Sequence, residues 1–235
     1  MDADWTESEF CFLASFNVTI LARYSDKLAS SPYIFVNNLY IRLVIDFDFS
    51  TDAKPQKGSI LISEPFLADD YFSRSVIYLC DHNENGSFGF VLNKYVETSL
   101  TDSIEGFPTI DFKVSLGGPV DTSNLYYIHS FGESLENAYP IDQGLYIGGD
   151  FEDMKSIVTK IPGKAKEVRF FIGYSGWEEG QLEAEMKEKS WIVLNNVPSS
   201  VIMNTEQESL WNDLMQRMGG KFELMSKFPV NPSDN

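Results

Sequence analysis

Cysteine and histidine are scarce in this chain of 235 residues, which carries two of each. Cys11 and Cys80 lie far apart and outside any Cys-x-x-Cys spacing, which excludes a disulfide framework and a zinc ribbon. His82 and His129 lack the His-x-x-x-His spacing of a helical metal site, so metal binding through them is disfavoured. We therefore expect no metal and a location in the reducing cytoplasm.

Basic residues are also few, with 18 lysines and arginines against 35 acidic residues and a net charge of -17. The densest basic cluster, Lys160 to Arg169, is interrupted by proline, glycine and glutamate. Nucleic-acid binding draws its affinity from the neutralisation of phosphates by lysine and arginine. Direct binding to nucleic acid is therefore not expected.

Long apolar segments and a basic leader are missing as well. The uncharged stretches Phe10 to Ala22 and Leu28 to Ile41 are too short and too polar to cross a bilayer. The first basic residue is Arg23, and acidic residues precede it, unlike the positive region of a secretory signal. We expect neither export nor a membrane span.

The composition that remains is that of a folded protein, with 43% hydrophobic and 14% aromatic residues. We interpret residues 1–50 as an N-terminal extension, residues 51–57 as a polar linker and residues 58–235 as a single domain. The extension has two interpretations: a segment that packs its aromatic side chains on the domain, or a start site placed too far upstream. We favour the second, with synthesis beginning near Val44 or Ile45, because the segment is apolar but aperiodic.

Short strand patterns alternate with turns through the domain. The predicted strands are Ser59–Ser63, Ser75–Cys80, Phe88–Asn93, Lys113–Leu116, Leu125–His129, Leu145–Ile147, Val168–Ile172 and Trp191–Leu194. The predicted helices are Thr98–Glu105, Phe151–Lys160, Glu178–Lys187 and Gln207–Met218, the last ending at Gly219-Gly220. The Asn85-Gly86 pair favours a hairpin between the second and third strands, and His82 is expected to order its loop.

The stretch "GYSGW", Gly173 to Trp177, follows a predicted strand and presents a serine between glycines. A hydrolase nucleophile elbow requires Gly-x-Ser-x-Gly, but here Trp177 takes the last position. Ser175 and Glu178 instead match the Ser-x-x-Glu capping box, so we interpret Ser175 as the N-cap of a helix. The weaker alternative is a serine nucleophile that uses His82 or His129 as its base.

Two further glycine pairs have structural interpretations. The stretch "GGDF", Gly148 to Phe151, resembles the signature of cyclic-dinucleotide synthases, but helical spacing follows it directly. Asp150 is therefore predicted to be an N-cap. The stretch "LGGPV", Leu116 to Val120, lacks every phosphate-loop feature and predicts a tight bend.

Arg74 stands at the entrance of an apolar strand, where a partly buried guanidinium needs partners. Because carboxylates are in excess, an internal pair with Asp69, Asp70 or Asp81 is favoured, and an anchor for a ligand is the alternative. The tryptophans Trp177, Trp191 and Trp211 are expected in the core.

Several motifs occur together in a fixed order along the chain. They are "KGSILISEPFLADDYFSRSVIYLCDH", "GSFGFVLNK", "SLGGPV", "LYYIH", "GYSGWEEGQLEAEMKEKSWIV" and "LWNDLMQRMGG". In order and spacing they resemble the YqgE/AlgH family of bacterial proteins, from Lys57 to about Pro229. Each motif alone is a common turn or cap, but the set is specific.

The resemblance implies a fold more than an activity: an α+β domain whose mixed, mainly antiparallel sheet is bent into a pseudo-barrel with helices packed around it. It implies no catalytic residue and no cofactor. The usual Asn-basic-Pro of the family stands here as Asn93-Lys94-Tyr95, which removes a rigid turn. The positions that match the family are Pro65, Phe72, Arg74, Ser75, His82, Gly89, Asn93, Gly117, Gly118, Pro119, His129, Gly173, Ser175, Gly176, Trp177, Gln181, Leu182 and Trp191.

Two classes of function follow. The favoured one is a non-catalytic regulatory or interaction protein that binds an unidentified protein or small molecule and affects gene expression indirectly, since no helix-turn-helix is visible. Its candidate ligand-binding residues are Arg74, His82, Asn93, Gly117, Gly118 and Pro119. The alternative is a hydrolase that uses Ser175 or His82.

Overall fold

A computed structural model gives the structure of residues 33–36, 39–42, 53–98, 100–207 and 209–228. Contacts divide the chain into two compact units, Asp48–Leu214 and a unit made of Met1–Phe47 with Met215–Asn235. In the second unit, strands β1 (Tyr33–Val36) and β2 (Leu39–Arg42) pair as an antiparallel hairpin. The rest of the predicted extension lies outside the described residues, and its status stays a prediction.

The larger unit is built on one ten-stranded sheet. Its strands are β3 (Ile60–Ser63), β4 (Val76–Asn83), β5 (Gly86–Val91), β6 (Tyr95–Val96), β7 (Val114–Leu116), β8 (Val120–His129), β9 (Ala138–Pro140), β10 (Tyr146–Gly148), β11 (Val168–Trp177) and β12 (Trp191–Leu194). Its helices are α1 (Leu100–Ser103), α2 (Phe151–Lys160), α3 (Gln181–Lys187) and α4 (Ser199–Met203), and α5 (Leu210–Met218) begins in it. Helix α6 (Gly220–Ser226) belongs to the second unit.

The strands lie in the order β12-β3-β4-β5-β11-β8-β10-β9, and β7 pairs with both β11 and β6 beside this path. Within the sheet as described, only β7 and β11 pair in parallel. The sheet curls into a half-barrel with helices against it. The predicted class, α+β with a mixed, mainly antiparallel sheet bent into a pseudo-barrel, is confirmed.

Strand β11 joins the two parts of the sheet. Its first half, Val168 to Ile172, pairs with β8 and β7, whereas its last residues, Ser175 to Trp177, pair with β5. The register shifts between Ile172 and Tyr174, at a bulge where Gly173 has a φ of 66°. A bulge bends its strand and increases the local twist. This bend carries β11 from one part of the curled sheet to the other.

Two hydrophobic clusters form the interior. One contains residues of β3, β4, β5 and β12 together with Trp177 and Leu182. The other packs β8 and β11 against α1, α2 and the loop that holds Phe107 and Phe112. Apolar runs such as "VIYLC" in β4 are buried on both faces, and each buried Leu or Ile contributes about 1.5–3 kcal/mol.

Most predicted elements are confirmed, with shifted ends. Helix α2 has the predicted bounds, and Asp150 is its N-cap because its carboxylate accepts from the Asp153 amide at 2.9 Å. The β4–β5 hairpin is confirmed, although its loop is Glu84-Asn85 and Gly86 already begins β5. Strands β8 and β11 are longer than predicted, and helices α4 and α6 were not predicted.

Among the described residues, no helix has the length and apolar character that a bilayer span requires.

Candidate functional site

Ser175 is not a helix cap, and that prediction is wrong. It lies in β11 opposite Gly89 of β5, is 1% exposed, and donates its hydroxyl hydrogen to the Gly117 carbonyl at 3.1 Å. The pairing of β11 with β5 keeps the backbone extended as far as Trp177, so helix α3 begins only at Gln181. Neighbouring-strand hydrogen bonds override the local Ser-x-x-Glu signal.

The segment Gly117 to Pro119 forms the predicted bend, between β7 and β8. Gly117 donates its amide hydrogen to the Ile172 carbonyl and accepts from the Val91 amide, both at 2.8 Å. A Cβ on Gly118 would lie 1.9 Å from the Tyr174 carbonyl carbon. Glycine is therefore required at position 118, because the backbone of this bend packs directly against the backbone of β11 next to the bulge.

Arg74 and Asn93 lie together at the start of β4. The Asn93 side chain accepts from the Val76 amide and donates to the Arg74 carbonyl, both at 2.8 Å. The Arg74 guanidinium lies 4.8 Å from the ring centroid of Trp211, and burial lowers the pKa of Arg74. Asn93 thus anchors backbone, and Arg74 packs on a tryptophan.

His82 orders the β4–β5 hairpin, as predicted. Its Nδ1 lies 2.7 Å from Ser87 Oγ across the strand pair, and its Nε2 lies 3.9 Å from a Glu183 carboxylate oxygen on α3. The imidazole is therefore bonded within the hairpin and lies near helix α3. Among the described residues, no group of three or more His, Cys, Asp or Glu side chains is placed to hold a metal ion.

An open cleft of about 810 Å³ lies between the β4–β5 hairpin, the end of β11 and the start of β8. This volume is in the range of small-ligand sites. None of the six predicted ligand-binding residues is among the described residues that line it. The residues that give the cleft its chemistry are Asp81, Phe88, Phe90, Tyr126, Tyr174 and Glu178.

Four aromatic rings form the floor of the cleft. Tyr174 contacts Phe88 and Tyr126 edge to face, with centroids 6.2 and 5.7 Å apart. Phe90 lies 5.8 Å from Tyr126 and stacks on the buried Phe171 at 4.3 Å. We call the four lining rings, Phe88, Phe90, Tyr126 and Tyr174, the aromatic floor.

A carboxylate supports one ring of the floor from outside. The Tyr126 hydroxyl donates to Asp121, which also accepts from the Asn124 amide at 2.8 and 2.9 Å. The hydrogen bond raises the pKa of Tyr126 to about 12 and lowers the pKa of Asp121. Tyr126 is therefore a neutral phenol whose ring is fixed in place.

Sequence reasoning missed the aromatic floor and also a buried cation. Arg169 is 1% exposed and donates to Ser115 Oγ at 3.0 Å, the Asn204 carbonyl at 3.1 Å, and the carbonyls of Ile202 and Leu92. Burial lowers its pKa to about 10.

The one local signal for the aromatic floor was the Phe-x-Phe pair in β5, since alternate residues of a strand share a face.

The sequence profile of the AlgH-like family matches residues 60–223. The chain belongs to the AlgH-like family. A UPF0301 protein of Bacteroides thetaiotaomicron is 39% identical to this AlgH-like chain over 187 residues, covering 79% of this chain and 94% of that protein. A UPF0301 protein of Chlorobaculum tepidum is 37% identical over 178 residues, covering 76% and 95%.

Solved structures share the fold of the AlgH-like domain. The solution structure of AlgH from Pseudomonas aeruginosa aligns with a TM-score of 0.60 and 26% identity, covering 76% of this chain and 98% of that one. A crystal structure of a protein from Corynebacterium diphtheriae aligns with a TM-score of 0.63 and 21% identity, covering 75% and 94%. The resemblance to this bacterial family is thereby confirmed.

Proposed function

We propose that this AlgH-like protein is a non-catalytic interaction protein that holds a segment of a partner in its cleft and so regulates that partner. The observation that carries the proposal is the aromatic floor. Aromatic side chains dominate the energetics of protein interfaces, and a large open cleft with a few polar groups is the usual form of a binding site. Any effect on gene expression is then indirect, through the partner.

The burial of two potential nucleophiles, Ser175 and Cys80, supports binding rather than hydrolysis. Ser175 is buried and bonded to a backbone carbonyl, so attack on a substrate would need the strand to open. The free thiol Cys80 is fully buried, and burial raises its pKa, which keeps it protonated and inert. A buried free thiol also fits the cytoplasmic location that we propose.

Site-specific photocrosslinking tests the binding role. A benzoylphenylalanine at Val120, which lines the cleft and is 39% exposed, is expected to give a discrete crosslinked partner in bacterial cells. The same group at Ile161, 54% exposed and outside the cleft, is the matched control. Loss of the Val120 product in the Tyr174→Ala background is expected, and identical products from both positions would contradict the proposal.

One observation favours the hydrolase as a second candidate. Ser87 Oγ lies 2.7 Å from His82 Nδ1, and a Glu183 carboxylate oxygen lies 3.9 Å from the other ring nitrogen, in a serine–histidine–carboxylate order. A fluorophosphonate probe separates the two functions. Labelling of Ser87 that disappears in His82→Ala would support the hydrolase, whereas an unlabelled protein supports binding alone.

A further inference from the structure

We infer that the cleft recognises a guanidinium group, presented as an arginine side chain by a segment of a partner protein. The inference rests on the proposed binding role and adds the chemistry of the ligand. It is carried by two features of the same cleft, the aromatic floor and the sign of the charges that line it.

The aromatic floor provides the stacking surface. Phe88, Tyr126 and Tyr174 are each half-buried, so part of each ring is accessible from the cleft. A planar guanidinium stacks on aromatic faces, and the attraction to the ring quadrupole strengthens as the cation loses water. Because Phe88 and Tyr126 are each roughly perpendicular to Tyr174, the ring faces point in different directions, and faces of more than one ring can contact one cation, as in the cages that bind organic cations.

The hydrogen bond from Tyr126 to Asp121 also favours the binding of a cation on the Tyr126 ring. A phenol that donates to a carboxylate gains electron density, which makes the negative face of its ring more attractive to a positive charge. The Asp121 carboxylate also places a negative charge next to the hydroxyl group of that ring.

The charges of the lining have one sign. Asp81 and Glu178 contribute carboxylates, and no lysine, arginine or histidine is among the described residues that line the cleft. A phosphate or carboxylate ligand would therefore meet repulsion and no basic partner, whereas a cation would meet complementary charge. The net charge of -17 extends this preference to the whole protein.

Arginine fits these groups better than lysine. The guanidinium offers five donors in a planar fork, so it can stack on a ring and donate sideways to carboxylates at the same time. The lysine ammonium is more strongly hydrated and does not stack. Asn85, an exposed residue of the lining, supplies an amide group for the backbone of the bound segment. The side-chain amides of Asn83 and Gln181 are bonded within the protein.

Amide chemical-shift titrations of the full chain test the inference. Three capped pentapeptides are compared, identical except for a central arginine, citrulline or glutamate. Citrulline keeps the shape of arginine and removes its charge. The arginine peptide is expected to shift the amides of Ser87, Phe88 and Gly176, and the citrulline peptide to bind about tenfold more weakly, as expected for loss of a charge and its cation–π contact.

Two variants locate the effect. Asp81→Asn with Glu178→Gln is expected to weaken the arginine peptide about tenfold, and Tyr174→Leu to weaken it about threefold or more. The control is Asp111→Asn with Glu105→Gln, two exposed carboxylates outside the cleft, which should leave the affinity unchanged. Asp81 is half-buried and Glu178 is exposed, and neither belongs to the apolar core, so the result of this double variant does not depend on whether Tyr174→Leu folds.

The possible outcomes of these titrations distinguish the guanidinium inference from the proposed binding role. Equal binding of arginine and citrulline peptides in the cleft would overturn the guanidinium inference and leave the binding role standing. Shifts away from the cleft, or no shifts with any peptide, would also overturn the inference. The binding role itself fails only in the crosslinking experiment, when Val120 and Ile161 give the same products.

Discussion

Trp177 and Trp191 donate their indole hydrogens to the same carboxylate oxygen, Glu185 Oε2, at 2.8 and 2.7 Å. Their rings meet edge to face with centroids 6.0 Å apart. One tryptophan ends β11 and the other begins β12, while Glu185 belongs to α3. The shared acceptor therefore fixes α3 to two strands and holds the Trp177 wall of the cleft.

Loss of this acceptor should destabilise the fold. Glu185→Ala leaves two buried indole donors without their partner, and hydrogen bonds to charged groups contribute about 1.5–3 kcal/mol each. We expect a loss of about 3 kcal/mol in the free energy of unfolding, measured with urea. Glu188→Ala, at an exposed position one turn along the chain, is the control and should stay within about 0.5 kcal/mol.

The close approach of the Gly118 and Tyr174 backbones gives a second prediction. Gly118→Ala places a methyl group where the Tyr174 backbone lies, and backbone cannot move aside as a side chain does. We expect a loss of about 3 kcal/mol by thermal or urea unfolding. Gly163→Ala, where a Cβ meets nothing within 4 Å, is the matched control. Equal stability of both variants would contradict this close approach.

Local signals explain which parts of the fold could be predicted. Asp150 caps α2 through a hydrogen bond three residues away, so the sequence alone contains both partners. Ser175 has the same local signal, but its backbone partner is Gly89 of β5, which no local pattern reveals. The conflict between a local cap and a distant strand was resolved by the strand pairing.

The cleft could not be predicted for the same reason. Phe88 and Phe90 are close in sequence, but Tyr174 and Tyr126 join them only because β11 pairs with β5 and β8 pairs with β11 in the sheet. Arg169 was interpreted as part of a loose basic cluster, yet it is fully buried by groups from residues 92, 115, 202 and 204. The family resemblance supplied the fold, and only three-dimensional contacts supplied the site.

Arg169 gives a third prediction. Arg169→Lys keeps the charge but replaces a planar fork by a single ammonium, which cannot reach the carbonyls of Leu92 and Ile202 together. We expect a loss of about 3 kcal/mol in stability, because a buried acceptor is left without its donor and a buried charge loses partners. Arg217→Lys, at an exposed position of α5, is the control and should change stability by less than about 0.5 kcal/mol.

His129 makes the stability of the fold depend on pH. It is fully buried, its Nδ1 accepts from the Phe131 amide at 3.2 Å and its Nε2 lies 3.0 Å from the Gly148 carbonyl. Because Nδ1 is an acceptor, the proton resides on Nε2 and the ring is neutral. Burial lowers the pKa of His129, and the hydrogen bond to Gly148 opposes this only in part.

The direction of this pH dependence follows from the difference in proton binding between the unfolded and the folded chain. Below the ordinary histidine pKa of about 6.5, the unfolded chain takes up a proton that the folded chain refuses, so stability falls as the pH drops. The slope attributable to one group is at most about 1.4 kcal/mol per pH unit. Urea unfolding between about pH 7.5 and about pH 5.5 should therefore show a steeper decline for the native protein than for His129→Gln, which cannot be protonated. Parallel curves for the two proteins would contradict a neutral, buried ring at position 129, since carboxylates contribute equally to both.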